Sequence, residues 1–478
     1  MARTSLPNSD GAPSASLAAR LHARWSAEPL PTALALGAGF VLVVAAAYHV
    51  MSWRIGPGAE HTLDLAVFRT AGQWVLDGFN PYSVHFGRHL SYPLPFTYTP
   101  FGALAFVPLA VVPKLPLAWL WDTGVLVVLA AALLPFFRPL VSRAGRWAPF
   151  AFAVVLAFSI WSRPVQDNIG GGQVDILLMA ICMADVLVKR PRWPRGMLIG
   201  IVAAIQVAPA IFAVYLLFSK RWRAFWTAVI TAAAATLLGA VVMPGPSVEY
   251  FTKLLFQPNR VGTVKYFSNQ SLWGMMARAT LGPWHGVLLL VGVALVGVGG
   301  LAAAVRCDRS DLLRAVVMVG LVWCLVSPVT WIHGMVWILP ALGLVVADGR
   351  SWWRVAVAVI GAASLVLQVP NLDSNPASVH IPSVLAAVVI DDYGLVALVL
   401  LILLAAGPLS ALVAELRERW RHEPERDSER DSERDSNGDP ALDSAPAGEP
   451  SSTLHGRAGR SADRRREAVS LIAEASPD

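Results

Sequence analysis

The chain has 478 residues, 55% of them hydrophobic and only 15% charged, whereas soluble domains carry roughly 25% charged residues. That balance excludes an ordinary soluble domain. The net charge of +6 does not indicate nucleic acid, because many basic residues sit in short loops between apolar segments, where they set membrane orientation. The three cysteines, Cys182, Cys307 and Cys324, have no metal-ligand spacing. They are expected to be small structural side chains, and no metal or cofactor is expected.

In chain order, a leader (1–33) precedes the first apolar segment, Leu34–Val50, which has no convincing cleavage signal and reads as a retained anchor. Further apolar segments are Leu117–Phe137, Trp147–Trp161, Val174–Val188, Met197–Phe218, Phe225–Met243, Val287–Val305, Val316–Val329, Met335–Val346, Val355–Val369 and Val384–Ala406. They are continuous rather than alternating, which predicts an all-alpha polytopic bundle and not a β-barrel. Placing the basic loops around Arg138–Arg146, Lys189–Arg195, Lys220–Arg223, Arg306–Arg314 and Arg350–Arg354 in the cytoplasm gives about ten crossings, with both termini inside. Two segments break the alternation: Phe101–Val112, and Met197–Phe218 with its Gln206 and Pro209. Both are expected to be re-entrant, which requires that protein or a polar cavity cover their free backbone groups. The membrane domain is then 34–406. The tail 407–478, with its Glu-Arg-Asp-Ser repeats from Glu425 and a basic cluster at Arg457–Arg466, reads as mostly disordered and cytoplasmic.

The outer side receives the polar stretches Ser52–Pro100, Ser162–Gly172, Pro244–Trp284 and Asn371–Ile381. In the first, Asp64–Asp77 has a mixed apolar face that predicts a helix at the interface, stopped by Gly78-Phe79-Asn80-Pro81. Asp64 is the leading candidate for a general base, since a carboxylate at the mouth of a membrane bundle is costly unless it is used. Arg69, Arg260, Lys265 and Arg278 are candidates for holding a phosphate, and Asn269, Gln270 and His333 for orienting sugars. Tyr82, Trp273 and Trp331 can stack on a sugar ring or line a lipid groove. Plainer roles compete: a helix cap for Asp64, surface anchoring for Arg69 and Arg88, a structural place for His333, and an interfacial belt for the 18 tryptophans. His61, His85, His89 and His333 make no compact zinc pattern, and Gly170-Gly171-Gly172 lacks the Lys-Ser/Thr of a nucleotide loop. Gln166, Asp167, Asn168 and Gln173 flank another outer boundary.

Six motifs in order carry a resemblance: LDLAVFRTAGQWVLDGFNPY from Leu63, YPLPFTYTPFGALAFVPL from Tyr92, GQVDILLMAI from Gly172, RGMLIGIVAAIQVAPAIF from Arg195, FSNQSLWGMMAR from Phe267 and SPVTWIHGMVW from Ser327. Together they resemble the actinobacterial polyprenyl-phosphate-mannose-dependent alpha-1,2-mannosyltransferases of the GT-C superfamily, glycosyltransferase family 87, over roughly Leu34–Ala406. The resemblance implies an inverting, metal-independent transferase in the plasma membrane, with its active site on the extracytoplasmic side. The donor would be polyprenyl phosphate mannose and the acceptor a mannosylated glycolipid or lipoglycan. The family's catalytic acid falls on Asp64, its Asn-Gln-Ser motif on Asn269, Gln270 and Ser271, and its histidine after Ser-Pro on His333. Two positions depart from the pattern: Gln206 stands where related chains often have Lys, and Gly334 where they often have a second His. An arabinofuranosyltransferase shares the expected fold and base. A transporter is a different class, for which an internal repeat and mid-membrane ion ligands are missing. A nonenzymatic assembly protein is a third reading.

Overall fold

A computed structural model describes residues 29–52, 63–88, 94–279, 282–308, 310–367 and 388–436. The leader up to residue 28, His61, His89, the outer stretch 371–381 and the basic cluster 457–466 lie outside the described residues. The chain divides into two compact units, Met1–Glu415 and Leu416–Asp478.

In the first unit, α1 (Pro29–Ser52) is uniformly apolar. Next, α2 (Leu63–Leu76) buries Leu65, Val67, Phe68 and Ala71 and stops where Gly78 turns left-handed, with φ +73°. Gly78 and Phe79 donate back to Val75 and Trp74, closing the helix end. The short helices α3 (Pro100–Ala105) and α4 (Val107–Ala110) follow. Their 6 and 4 residues span about 15 Å at 1.5 Å each, about half of a hydrocarbon core. The long stretch Lys114–Trp161 has 48 residues, more than twice what one crossing needs. It breaks at Gly145 (φ 56°, ψ −120°) into α5 (Lys114–Val141) and α6 (Ala148–Trp161), and α6 packs along α1.

The helices α7 (Arg163–Gly171) and α8 (Asp175–Leu187) meet at 109°. Asp185 then caps α9 (Met197–Ile205), accepting from the Gly196 and Ile199 amides. The broken segment ends with α10 (Ile211–Phe218). The next helix, α11 (Trp222–Val242), packs on α9 through small residues four apart. A methyl on Gly196 would lie 1.9 Å from the Ala224 carbonyl, and one on Gly200 2.5 Å from that of Ala228. Close backbone approach over small residues is how helices pack where lipid supplies no hydrophobic drive. Beyond α12 (Pro244–Thr252) and α13 (Leu272–Arg278) come α14 (His285–Cys307), α15 (Leu312–Val326), α16 (Ile338–Val346) and α17 (Trp352–Leu367).

The core centres on α15, in which every residue from Ala315 to Leu325 is buried. Trp337 lies over Gly320, where a methyl would come within 2.1 Å of the indole. The last helix, α18, runs Asp392–Ser436. Its helical backbone continues past Gly407.

Among the described residues, five helices are long and apolar enough to cross a membrane, or six if the bent α7–α8 pair counts as one span. The chain is therefore a multi-pass, all-alpha membrane protein. The 15-residue α15 and the 9-residue α16 are shorter than the roughly 20 residues of a full crossing, though each coincides with an expected span.

Candidate active site

A cavity of about 930 Å³ is bounded by the start of α2, the α7–α8 corner, the break after α9, and the loops 254–268 and 326–334. Its volume is near the top of the usual range for small-molecule sites. Asp64, Arg260, Trp331 and His333 all line it, together with Gln173, Asp175, Gln206 and Thr330.

Asp64 lies in the first turn of α2, where a carboxylate complements the helix dipole. The turn after α7 comes unusually close to it. A methyl on Gly171 would sit 3.0 Å from Asp64 Oδ2, and one on Gly172, which is left-handed at φ +75°, would overlap the Leu65 side chain at 2.5 Å. Gly171 and Gly172 thus let this turn approach the start of α2 closely. Gln173, buried beside this turn, lines the same wall as the Asp64 carboxyl, its Cγ 3.5 Å from the point above Gly171 that Asp64 Oδ2 approaches to 3.0 Å. Burial pushes the Asp64 carboxyl up to about 6, while the His333 imidazole pulls against it, the Asp175 carboxylate pushes with it, and the Gln173 hydrogen bond again lowers it.

On the neighbouring wall, His333 Nδ1 lies 2.7 Å from Asp175 Oδ2 at the start of α8. The pairing fixes the ring, so Nε2 is the nitrogen left for a ligand. Asn168 Nδ2 donates to the His333 carbonyl at 2.8 Å, tying α7 to the same segment. Gly334 leaves room here, since a methyl there would be 3.0 Å from Thr330 Cγ2 and 3.8 Å from Asp175 Oδ1.

The expected interruption of Met197–Phe218 is present. Gln206 is extended (φ −139°, ψ 128°), and a short 3₁₀ turn, Ala208–Ala210, leads into α10. Thr99 covers the freed carbonyls: its hydroxyl donates to Ala204 O and its amide to Ile205 O, while the same hydroxyl accepts from Gly102 N to cap α3. The break is thereby made where the cavity forms, and Gln206 joins the wall. Gln206 Oε1 and Thr330 Oγ1 are buried with no hydrogen-bond partner among the described residues.

Arg260 reaches the cavity from the third outer stretch. It donates to Phe96 O (2.6 Å) and Thr97 O (3.4 Å) and lies over the Tyr82 ring at 5.6 Å. Its Nε has no partner, and no carboxylate is within ion-pair distance among the described residues. Burial lowers its pKa, with Tyr250, Tyr82 and Glu249 opposing. Trp331 meets Tyr266 edge-on at 6.0 Å.

Eight other residues expected at the site do not line the cavity, among them Trp273, whose Nε1 donates to Val326 O at 3.1 Å. Arg69 donates to Ala110 O and Val112 O, closing the end of α4. Tyr82 donates to Tyr98 O at 2.9 Å, behind Arg260. Lys265 is exposed. Arg278 is committed to Asp391 and to the Tyr266 and Asn269 carbonyls. Asn269 is buried and donates to Val264 O and Pro328 O, while its Oδ1 accepts from Ser271 and the Thr330 amide. Gln270 links Phe267 and Ile390 carbonyls to the Gly394 amide. Ser271 caps α13. The Asn-Gln-Ser motif therefore braces the wall that carries Thr330 and Trp331. No sequence argument singles out Thr99 or Asp175. A polar Gly-Gly-Gln-Val-Asp run directly before an apolar helix was the available signal for the latter.

Comparison with known proteins bears on this site. Residues 96–328 match the family model "Glycosyltransferase family 87". The chain is 32% identical over 345 residues to the polyprenol-phosphate-mannose-dependent alpha-(1-2)-phosphatidylinositol mannoside mannosyltransferase of Mycobacterium tuberculosis, covering 68% of this chain and 80% of that protein. The Mycolicibacterium smegmatis protein of the same name is 31% identical, over 68% and 80%. A Mycobacterium tuberculosis phosphatidylinositol pentamannoside mannosyltransferase is 31% identical, over 71% and 79%. No solved structure gives a significant match.

Proposed function

The chain belongs to glycosyltransferase family 87, and we propose that it transfers mannose from polyprenyl phosphate mannose to a mannosylated glycolipid or lipoglycan. The new bond is alpha-1,2, formed with inversion on the extracytoplasmic side of the plasma membrane. The observation that carries this reading is Asp64: a carboxyl group held at about 6, on a cavity wall shared with a cation that has no carboxylate partner among the described residues.

In the proposed step the ionised Asp64 accepts the proton of an acceptor 2-hydroxyl. The oxygen attacks the anomeric carbon from the face opposite the phosphate, and the carbon–oxygen bond to phosphate breaks. Arg260 holds the leaving polyprenyl phosphate, because a buried guanidinium is stabilised by an anion and stabilises the charge that develops there. His333, oriented by Asp175, and Trp331 hold the sugars. Gln206 and Thr330 are neutral and suit sugar hydroxyls better than phosphate. Of the other expected contacts, Asn269, Gln270, Ser271, Arg69, Tyr82 and Arg278 act by bracing, and Lys265 acts at the outer surface. The names of the similar proteins support the donor and the linkage.

Membranes containing the protein, supplied with polyprenyl phosphate mannose and candidate acceptors, are expected to form an alpha-1,2-linked mannoside on linkage analysis. Transfer of arabinofuranose in place of mannose, or uptake without transfer in liposomes, would overturn the reading. Arg260→Leu is expected to raise KM for the donor and lower turnover while leaving acceptor affinity within about twofold. Unchanged donor kinetics would remove Arg260 from the phosphate site.

A further inference from the structure

The corner between α7 and α8 is more than a connection. Its glycines remove every side chain that would come between it and α2: at Gly171 a methyl would be 3.0 Å from Asp64 Oδ2 and 3.5 Å from Gln173 Cγ, and at Gly172 it would collide with Leu65. The Gln173 amide donates to Asn168 O at 2.8 Å, closing the end of α7 and fixing the direction in which the carboxamide leaves the backbone. That carboxamide is buried on the cavity wall that Asp64 shares, and Asp64 Oδ2 and Gln173 Cγ lie within 3.0 and 3.5 Å of one point above Gly171, which brings the carboxamide within reach of the carboxyl. The same short helix holds the opposite wall, because Asn168 Nδ2 donates to the His333 carbonyl and its Oδ1 accepts from Ile176 N at 3.3 Å. One corner thus brings Gln173 beside the Asp64 carboxyl and ties the His333 backbone through Asn168.

We propose that Gln173 is a positioning residue for the base: its carboxamide, presented by the Gly171-Gly172 turn, seats the Asp64 carboxylate so that one oxygen faces the acceptor hydroxyl. This rests on the reading of Asp64 as the base. A carboxylate has two oxygens and free rotation about its last bond. A donor fixed on one oxygen removes that rotation and leaves the other oxygen to accept the proton. Gln173 touches no reacting atom, so its loss affects the chemical step more than substrate binding. Because the same hydrogen bond favours the ionised carboxylate, its loss also moves the protonation of Asp64 upward.

The test compares wild type, Gln173→Met, Gln173→Glu, Gly171→Ala and Asp64→Asn in the mannosyl-transfer assay between pH 5 and pH 9. Gln173→Met keeps the volume and removes the donor. It is expected to lower kcat about 10- to 100-fold, in line with what a misplaced group costs, with KM within about twofold. Its acid limb should move above that of wild type. Gln173→Glu sets a second carboxylate against Asp64 and is expected to move the acid limb further in the same direction. Gly171→Ala crowds Oδ2 and is expected to lower kcat without changing the acceptor KM. Gln173→Met with unchanged kcat and pH profile would overturn the seat. If that variant does not elute as a folded protein on size exclusion, wild-type turnover in Gly171→Ala would overturn the seat in its place. Wild-type turnover in Asp64→Asn would instead overturn the base assignment itself, so the two failures are separable.

Discussion

A carboxyl group held near 6 is mostly ionised at neutral pH yet more basic than a free aspartate, which suits a group that must take a proton from an alcohol. The consequence has a sign. Below about pH 6 Asp64 is protonated and cannot act as a base. Turnover is therefore expected to fall about tenfold per pH unit on that side, measured as kcat/KM against pH. Asp64→Asn is expected to lower turnover by about 10²- to 10⁴-fold without loss of stability. Burial raises the folded-state pKa from 3.8 to about 6, so the ionised carboxylate destabilises the fold above pH 6, by about 3 kcal/mol at 1.4 kcal/mol per unit. That cost fades as pH falls through the window from 6 to 4, where the folded state takes up its proton. Thermal unfolding should accordingly show Asp64→Asn at or above wild type at pH 7.5 and level with it near pH 4. A variant less stable at pH 7.5 would show that Asp64 holds the fold rather than burdening it.

At the scale of elements, the interruption of Met197–Phe218 was legible from Gln206 and Pro209 alone, because neither belongs inside an apolar span. The stop after α2 was legible from Gly78, whose φ of +73° few other residues adopt. What covers the interruption was not legible, since Thr99 lies about a hundred residues upstream of the carbonyls it pairs with. The Asn-Gln-Ser motif shows the same limit. Its presence is plain in sequence, but its partners Pro328, Thr330, Ile390 and Gly394 lie 57 to 124 residues away, so contact with substrate and bracing read alike. Thr99→Val tests the cover. It removes the hydroxyl from buried Ala204 O and uncaps α3, costing about 1–3 kcal/mol for the unpaired group and about 1 kcal/mol for the cap. A lower midpoint on heating, with donor and acceptor KM both raised as the Gln206 wall loosens, is the expected result. Gly196→Ala, by contrast, places a methyl 1.9 Å from a carbonyl at φ +94°. It is expected to reduce folded yield strongly, since neither backbone can move without parting α9 from α11.

For the whole molecule, the basic-loop pattern implies about ten crossings, whereas five or six described helices have the length and apolarity to cross. The difference lies in α6, which runs on from α5 in one 48-residue stretch, and in α15 to α17, none longer than 16 residues. A 15-residue α15 reaches about 22 Å at 1.5 Å per residue, short of a 30 Å core. Hydropathy cannot distinguish a helix facing lipid from one enclosed by other helices, and α15 is enclosed on every side. Sidedness is the decisive quantity, because in the proposed step donor and acceptor both meet Asp64 from one face. Single cysteines can report it with little background, since Cys182, Cys307 and Cys324 are 0%, 4% and 1% exposed. Val84→Cys, on the stretch that follows Asp64 and 82% exposed, is expected to react with a membrane-impermeant maleimide in intact cells. Arg190→Cys, in the basic loop after α8, is expected to react only after permeabilisation. Equal labelling of both in intact cells would put a basic loop outside, break the positive-inside assignment, and remove the basis for placing Asp64 on the extracytoplasmic face.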